Sequence, residues 1–133
     1  MNFQNKIYNQ KSIRIENLKT SHLGNNFKAW FEGMEFSVRE VKFKCRTIEK
    51  NMLDSEIFTE IRPNEIALGE LAFIIESDLL SKEDLYILYI RDKDGVLRAV
   101  RVHWNEGKWI IGAFPAGGES DWWLEGHVVV SSR

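Results

Sequence analysis

Two histidines in the C-terminal third, His103 and His127, are the residues whose type best suits acid-base or metal chemistry. They are far apart in sequence and could meet only if their strands are neighbours in a sheet. Three carboxylates lie near them in the sequence: Glu106, Asp121 and Glu125. The third histidine, His22, is remote. This scattered spacing is more typical of surface or turn histidines, so we predict no metal site and no cofactor, and we rank an enzyme using His103 or His127 below a binding protein.

A local group of four basic residues is the second candidate for chemistry: Arg39, Lys42, Lys44 and Arg46. If this region is a strand, the last three share one face, where they could contact the phosphates of a nucleic acid. Lysine on an edge strand, where it prevents aggregation, is the more ordinary explanation. Nucleic acid is therefore the less expected partner.

The adjacent tryptophans Trp122 and Trp123 are the third candidate. Neighbouring residues of an extended chain point in opposite directions, so both indoles cannot enter the same core. We expect at least one to lie near the surface, where it either closes the edge of the sheet or anchors a partner protein.

Motifs of defined catalytic spacing are absent from the sequence, including HExxH, CxxC, GxSxG, the P-loop and the EF-hand loop. The glycines of "GAFPAGG" lack the Lys and Ser/Thr of a phosphate-binding loop and indicate an ordinary loop. Cys45 is the single cysteine, so it can form no intrachain disulfide, and we predict a small buried thiol.

Composition is that of an average soluble globular domain, with 44% hydrophobic and 29% charged residues, a formal net charge of −2 and a pI near 5.9. This balance gives no global reason to expect nucleic acid or membrane as the partner. The sequence lacks an apolar run of membrane-spanning length. We predict a cytoplasmic, single α+β domain over residues 1–133, with a loose N-terminal tail at 1–11.

The first half of the chain contains patterns typical of strands, loops and helices, which would position the candidate residues. "SIRIENL" alternates like a short strand, and "KTSHLGNN" is typical of a loop. Apolar residues spaced as one helical stripe predict a helix near residues 26–35, capped by Asn25 or Asn26. Residues 36–52 could continue that helix or form a strand, and the alternation of "VKFKCRT" favours the strand.

Two further helices are predicted in the middle of the chain. Asp54 or Ser55 can cap a short helix that Pro63 ends. A second helix over residues 64–80 has a wide apolar face, which predicts deep burial, and Gly69 weakens its first turn.

Four strand-like runs end the chain: "LYILYIRD", "VLRAVRVHW", "WIIGAF" and "HVVVSS". The hairpin sequences "DKDG" and "NEGK" join the first three in an antiparallel meander. A two-residue turn at Glu106 and Gly107 would place Trp104 opposite Trp109, which favours a core role for this indole pair. For the first hairpin we prefer a two-residue turn at Asp94 and Gly95, pairing Tyr89 with Val100, over a type I turn with Gly95 in a bulge.

These patterns predict an α+β fold: a mostly antiparallel sheet of four or five strands, with a C-terminal meander, packed on one face by the helix at 64–80 and flanked by the helix near 26–35. A partly closed barrel is the main variant. The leading functional hypothesis is a non-enzymatic protein-interaction module that uses Trp122 and Trp123, with an unknown partner or a second copy of itself. The alternatives are nucleic-acid binding through residues 39–46 and the histidine enzyme described above.

Overall fold

The computed structural model describes residues 12–18, 21–117 and 122–133, and the tail predicted at 1–11 lies outside these ranges. A 3-10 turn, Ile15–Asn17, opens the described chain. The helices are α1 (Asn25–Phe31), α2 (Asp54–Glu60) and α3 (Leu68–Glu76). The strands are β1 (Ser21–Leu23), β2 (Phe43–Thr47), β3 (Tyr86–Arg91), β4 (Leu97–Asn105), β5 (Lys108–Pro115) and β6 (Val128–Ser132). The α+β class predicted from sequence is confirmed.

One open, mixed sheet contains these six strands in the order β1-β5-β4-β3-β6-β2. Strands β3, β4 and β5 form the predicted antiparallel meander, but β6 crosses over and pairs in parallel with β3. Strand β1 also pairs in parallel, with β5. The prediction of four or five strands was therefore one short, and the sheet does not close into a barrel. The crossover brings residues 122–127 against one face of the sheet.

The second hairpin has the predicted register. Trp104 pairs with Trp109 across a turn whose two central residues, Glu106 and Gly107, have φ angles of 50° and 85°. Positive φ at both positions is the geometry of a type I′ turn, which matches the twist of the strands. The two indoles meet edge to face at 5.1 Å, and Trp109 is buried, so the core role predicted for this pair is confirmed, with Trp104 partly buried at its border.

The first hairpin differs from the preferred prediction by one residue: Leu88, not Tyr89, pairs with Val100. The buried carboxylate of Asp92 decides the register, because its Oδ1 accepts hydrogen bonds from the backbone N–H groups of Asp94 and Val96 at 2.8 and 3.0 Å. Gly95, at φ 79°, completes a three-residue loop with a bulge. A slip of one residue moves every side chain of β3 to the opposite face.

The sheet consequently has a core on each face. The first face is covered by α1 and α3, as predicted for the helix at 64–80, and buries Leu88, Val100 and Val102 among others. On the second face, α2 and the segment around Trp123 cover part of the sheet and bury a second cluster: Ile48, Met52, Ile57, Ile87, Tyr89, Ala99, Trp123 and Val129.

Two predictions for the beginning of the chain were wrong. "SIRIENL" forms the 3-10 turn and a single bridge between Ile13 and Phe36 rather than a strand. The predicted loop "KTSHLGNN" contains β1, which is paired with the edge of β5. Three residues are too few for alternation to reveal a strand, and the partner that defines it lies far along the chain.

The helices are shorter than predicted, and their N-caps differ. Helix α1 follows Gly24 rather than an Asn cap. Helix α2 has Leu53 at its N-cap, and the Glu56 carboxylate accepts the Leu53 N–H at 2.9 Å. Helix α3 begins at Leu68 because the preceding residues are extended, with Ile66 N–H donating to Tyr89 O at 2.9 Å. None of the helices in the described ranges is long and apolar enough to cross a membrane.

The strand predicted within 36–52 is confirmed as β2, which lies at one end of the strand order. Its Cys45 is exposed, so the predicted buried thiol was wrong. Cys45 pairs with Val130 of β6, and β2 is the last strand of the sheet formed by the described residues. An edge position therefore explains the exposure of this apolar side chain.

Candidate functional site

A cleft of about 300 Å³ lies between the second face of the sheet and residues 122–127. We call it the Trp122 cleft. Its lining residues are Asp54, Arg101, Phe114, Pro115, Trp122, Trp123, Leu124 and His127. The volume is at the lower end of ligand-binding pockets, and the lining combines aromatic walls with a few polar groups, as such pockets do.

Asp54 anchors one side of the cleft. It is 3% exposed, and its Oδ1 accepts hydrogen bonds from Tyr89 Oη at 2.6 Å and Trp123 Nε1 at 2.7 Å. Its Oδ2 accepts the backbone N–H of Gly117 at 3.1 Å. Burial and the adjacent Asp54 raise the pKa of the Tyr89 hydroxyl, which stays protonated as a donor. The carboxylate thus ties α2, β3 and the end of β5 to Trp123, instead of serving as the helix cap that the sequence suggested.

Trp123 fixes the segment that carries the exposed indole. Its backbone exchanges two hydrogen bonds with Met52, at 2.8 and 2.9 Å, and its ring meets Phe114 edge to face at 5.6 Å. With Trp123 buried, the extended chain turns Trp122 outward, where it is 53% exposed, beside Leu124 at 59%. The prediction that at least one of the two indoles lies near the surface is confirmed.

His127 lines the cleft next to Trp123 and is 6% exposed. Its Nδ1 lies 2.9 Å from Leu124 O, which places the proton on Nδ1 in the neutral ring. Nε2 is buried and has no hydrogen-bond partner among the described residues. Burial lowers the pKa of His127, the Leu124 hydrogen bond opposes this effect, and the charge of Arg101 adds to it. His127 therefore lines the cleft with a buried imidazole whose Nε2 has no hydrogen-bond partner among the described residues.

Arg101 supplies the positive charge of the cleft. It projects from β4, partly buried, with its guanidinium 5.7 Å from the Phe114 ring. Within the described ranges it forms no side-chain hydrogen bond or ion pair. A guanidinium that packs on an aromatic ring and has no carboxylate partner can donate its N–H groups to a bound ligand.

The two candidate catalytic histidines are not brought together. Tyr86 pairs with both Val102 and Val128, so Leu85 stands between His103 and His127 in the sheet. Two strand spacings of about 4.8 Å separate their backbones. His103 is outside the cleft, and its pKa is lowered by burial and by Arg101. Over the parts of the chain that the structure describes, no group of three His, Cys, Asp or Glu residues could hold a metal ion; the candidate Asp121 lies outside them.

The basic group is divided by the fold. Arg39 forms an ion pair with Glu70 of α3 at 3.1 Å, away from the strand. Lys42, Lys44 and Arg46 are exposed, and the last two belong to the edge strand β2, where they alternate with Phe43 and Cys45. Charged side chains at the edge of a sheet are expected to prevent the edge strand from pairing with another chain.

Sequence reasoning missed three of the cleft residues: Asp54, Arg101 and Phe114. Asp54 was interpreted as a helix cap because its distant donors could not be seen. Arg101 and Phe114 lie on the two strands of the second hairpin, but nothing in the local sequence indicates that residues 122–127 return over them. The one available signal was the pair Trp122–Trp123, which required two different environments.

The chain matches no protein-family model, no curated protein and no solved structure.

Proposed function

We propose that this protein is a non-enzymatic protein-interaction module that docks a partner protein at the Trp122 cleft. The observation that carries the proposal is the exposure of Trp122 and Leu124, at 53% and 59%, on a segment whose neighbour Trp123 is anchored in the core. Large apolar side chains held in place at the rim of a cleft are typical binding anchors.

The energetics support docking through these two residues. Covering the exposed half of an indole removes on the order of 100 Å² of mostly apolar surface from water, which is worth about 2–3 kcal/mol at about 25 cal/mol per Å². Because Trp123 and Met52 already fix the backbone here, little additional ordering opposes binding. Leu124 adds a second contact on the same rim.

The two alternatives have weaker support. The first alternative is nucleic-acid binding through residues 39–46. Because Arg39 forms an ion pair with Glu70, only three of the four cations remain available at this edge of the sheet. A reaction using both histidines would need His103 and His127 to act together across Leu85. Both remain hypotheses, ranked below protein binding.

The proposed compartment is the cytoplasm. Cys45 is an exposed thiol, and the reducing conditions of that compartment would keep such a group unmodified.

The proposal is tested by capturing partner proteins with immobilised wild-type protein, Trp122→Ser and the control Leu79→Ser. Leu79 is 65% exposed but does not line the cleft, so its substitution removes a similar apolar side chain elsewhere. We expect the same proteins on the wild type and on Leu79→Ser, and at least about tenfold less on Trp122→Ser. Equal recovery on all three, or no recovery together with a monomer in sedimentation, would contradict docking at this site.

A further inference from the structure

We infer that the partner presents an acidic side chain to Arg101 inside the Trp122 cleft. This inference rests on the proposed protein-binding function and adds the chemistry of the segment that is recognised.

Arg101 differs from Arg98 and Arg91, the other arginines of β4 and β3. Arg98, three residues earlier on the same strand and on the opposite face of the sheet, donates to Asp92 Oδ2 at 2.8 Å. Arg91 of β3 makes two hydrogen bonds to the carboxylate of Glu65, at 3.0 and 2.8 Å. Arg101 also projects from a strand and is partly buried, but it has no carboxylate partner among the described residues. A partly desolvated guanidinium gains most from a carboxylate, which it can bind through two parallel hydrogen bonds.

The acidic residue already in the cleft does not neutralise Arg101. Asp54 also lines it, but its two carboxylate oxygens accept the Tyr89 hydroxyl, the Trp123 indole N–H and the Gly117 backbone N–H. These contacts hold Asp54 to α2, β3 and the 122–127 segment. Because these hydrogen bonds occupy both oxygens of the carboxylate, Asp54 forms no ion pair with Arg101.

His127 is more than nine-tenths buried, and its Nε2 has no hydrogen-bond partner among the described residues. With its proton on Nδ1, this ring can only accept a hydrogen bond at Nε2. The lining of the cleft thus combines a guanidinium donor, an imidazole whose buried Nε2 could accept a hydrogen bond after a small movement of the ring, and the apolar wall of Trp122 and Phe114. An acidic residue within a peptide complements this set, because it carries a carboxylate beside a backbone N–H and can be flanked by an apolar side chain.

The test uses an array of peptides with acetylated and amidated ends, so that no terminal charge competes, in which matched pairs carry Glu or Gln at the central position between apolar residues. We expect wild-type protein to bind the Glu members at least about tenfold more tightly than the Gln members. Arg101→Gln should abolish this preference, and Arg101→Lys should retain part of it. Arg46→Gln, which removes an exposed cation outside the cleft, should leave the preference unchanged.

Each other outcome has a definite meaning, given thermal unfolding curves showing that the variants are folded. Binding that depends on Trp122 but shows no Glu preference, or an Arg101→Gln variant that keeps it, would overturn the inference and leave the proposed function standing. No Trp122-dependent peptide binding would count against both. The double variant Glu119→Gln/Asp121→Asn removes two carboxylates of the chain that lie close to Trp122 in the sequence. If the preference for Glu peptides appears only in this variant, Arg101 pairs with the chain's own carboxylates, and the inference is overturned.

Discussion

Asp54 is the residue on which the geometry of the cleft depends. Asp54 belongs to α2, but its hydrogen-bond donors come from three other parts of the chain. They are Tyr89 of β3, Gly117 in the turn after β5 and Trp123 in the segment that carries Trp122. A buried carboxylate with three donors is stable only when all of them are in place. The exposure of Trp122 therefore follows from a hydrogen-bond network located beneath it.

Replacing Asp54 with Ala should lower the free energy of unfolding by about 3–5 kcal/mol, because three donors lose their acceptor in a buried site. Tyr89→Phe, which removes only one of these donors, should cost about 1 kcal/mol. Urea unfolding followed by fluorescence measures both. Equal losses for the two variants would show that the Tyr89 hydroxyl alone accounts for the contribution of the network.

The buried imidazoles should make stability depend on pH. Burial and Arg101 lower the folded-state pKa of both His103 and His127, whereas the unfolded rings titrate near about 6.5. Below that pH the unfolded state binds protons that the folded state does not, so stability is complete above about pH 6.5 and falls as the pH drops through the lowered folded-state pKa values. The charged groups closest to this effect are Arg101 and Asp54, which line the cleft beside His127.

We expect the wild type to keep its full stability above about pH 6.5 and to lose stability as the pH falls below that value. His103→Gln and His127→Gln should each remove part of that pH dependence, and the double variant should remove most of it. Urea midpoints collected above and below that pH measure the effect. A double variant with the full wild-type pH dependence would show that other groups are responsible.

At the scale of elements, α3 is held against the chain that precedes β2. Arg39 N–H donates to Gly69 O at 3.0 Å, and a Cβ atom on Gly69 would collide with the backbone carbonyl oxygen of Ser37. Glycine in the first turn looked like a weakness of the helix in the sequence. Its actual role is to permit this close approach of two backbones.

Gly69→Ala should therefore destabilise the protein by at least about 2 kcal/mol, although alanine is the better helix former by about 1 kcal/mol. Glu76→Ala, at the exposed last residue of α3, should change stability by less than about 0.5 kcal/mol. Thermal or urea unfolding checks both. A stabilised Gly69→Ala variant would contradict the contact with Ser37.

The two hairpins explain why one register was predicted correctly and the other was not. "NEGK" allows a two-residue turn, and the apolar pattern on both strands agrees with it. In "DKDG", the side chain of Asp92 binds two backbone N–H groups of its own loop and adds one residue. The apolar run of β3 fits either register, because both of its faces are buried.

For the molecule as a whole, the sheet lies between two cores of unequal size. Strand β3 contributes alternate residues to each, with Leu88 in the first and Tyr89 in the second. Neither cluster can lose its packing without exposing the strands that support the other. The Trp122 cleft lies beside the smaller core, on the face where the covering layer is incomplete.

Since both cores share the same strands, the protein should unfold in one cooperative transition. Far-UV circular dichroism and tryptophan fluorescence should give coincident urea midpoints, although Trp109 belongs to the first core and Trp123 to the second. A fluorescence transition at clearly lower urea than the circular dichroism transition would contradict unfolding in a single step.

The sequence by itself determined the α+β class, the four strands of the C-terminal third, the Glu106–Gly107 hairpin and the need for Trp122 and Trp123 to occupy different environments. These follow from alternation and turn chemistry, which act over a few neighbouring residues. Only the tertiary structure decided the parallel placement of β1 and β6, the second core and the gathering of Asp54, Arg101 and His127 around one cleft. Those features depend on contacts between residues far apart in the chain, where many pairings satisfy the same local pattern until the whole core is packed.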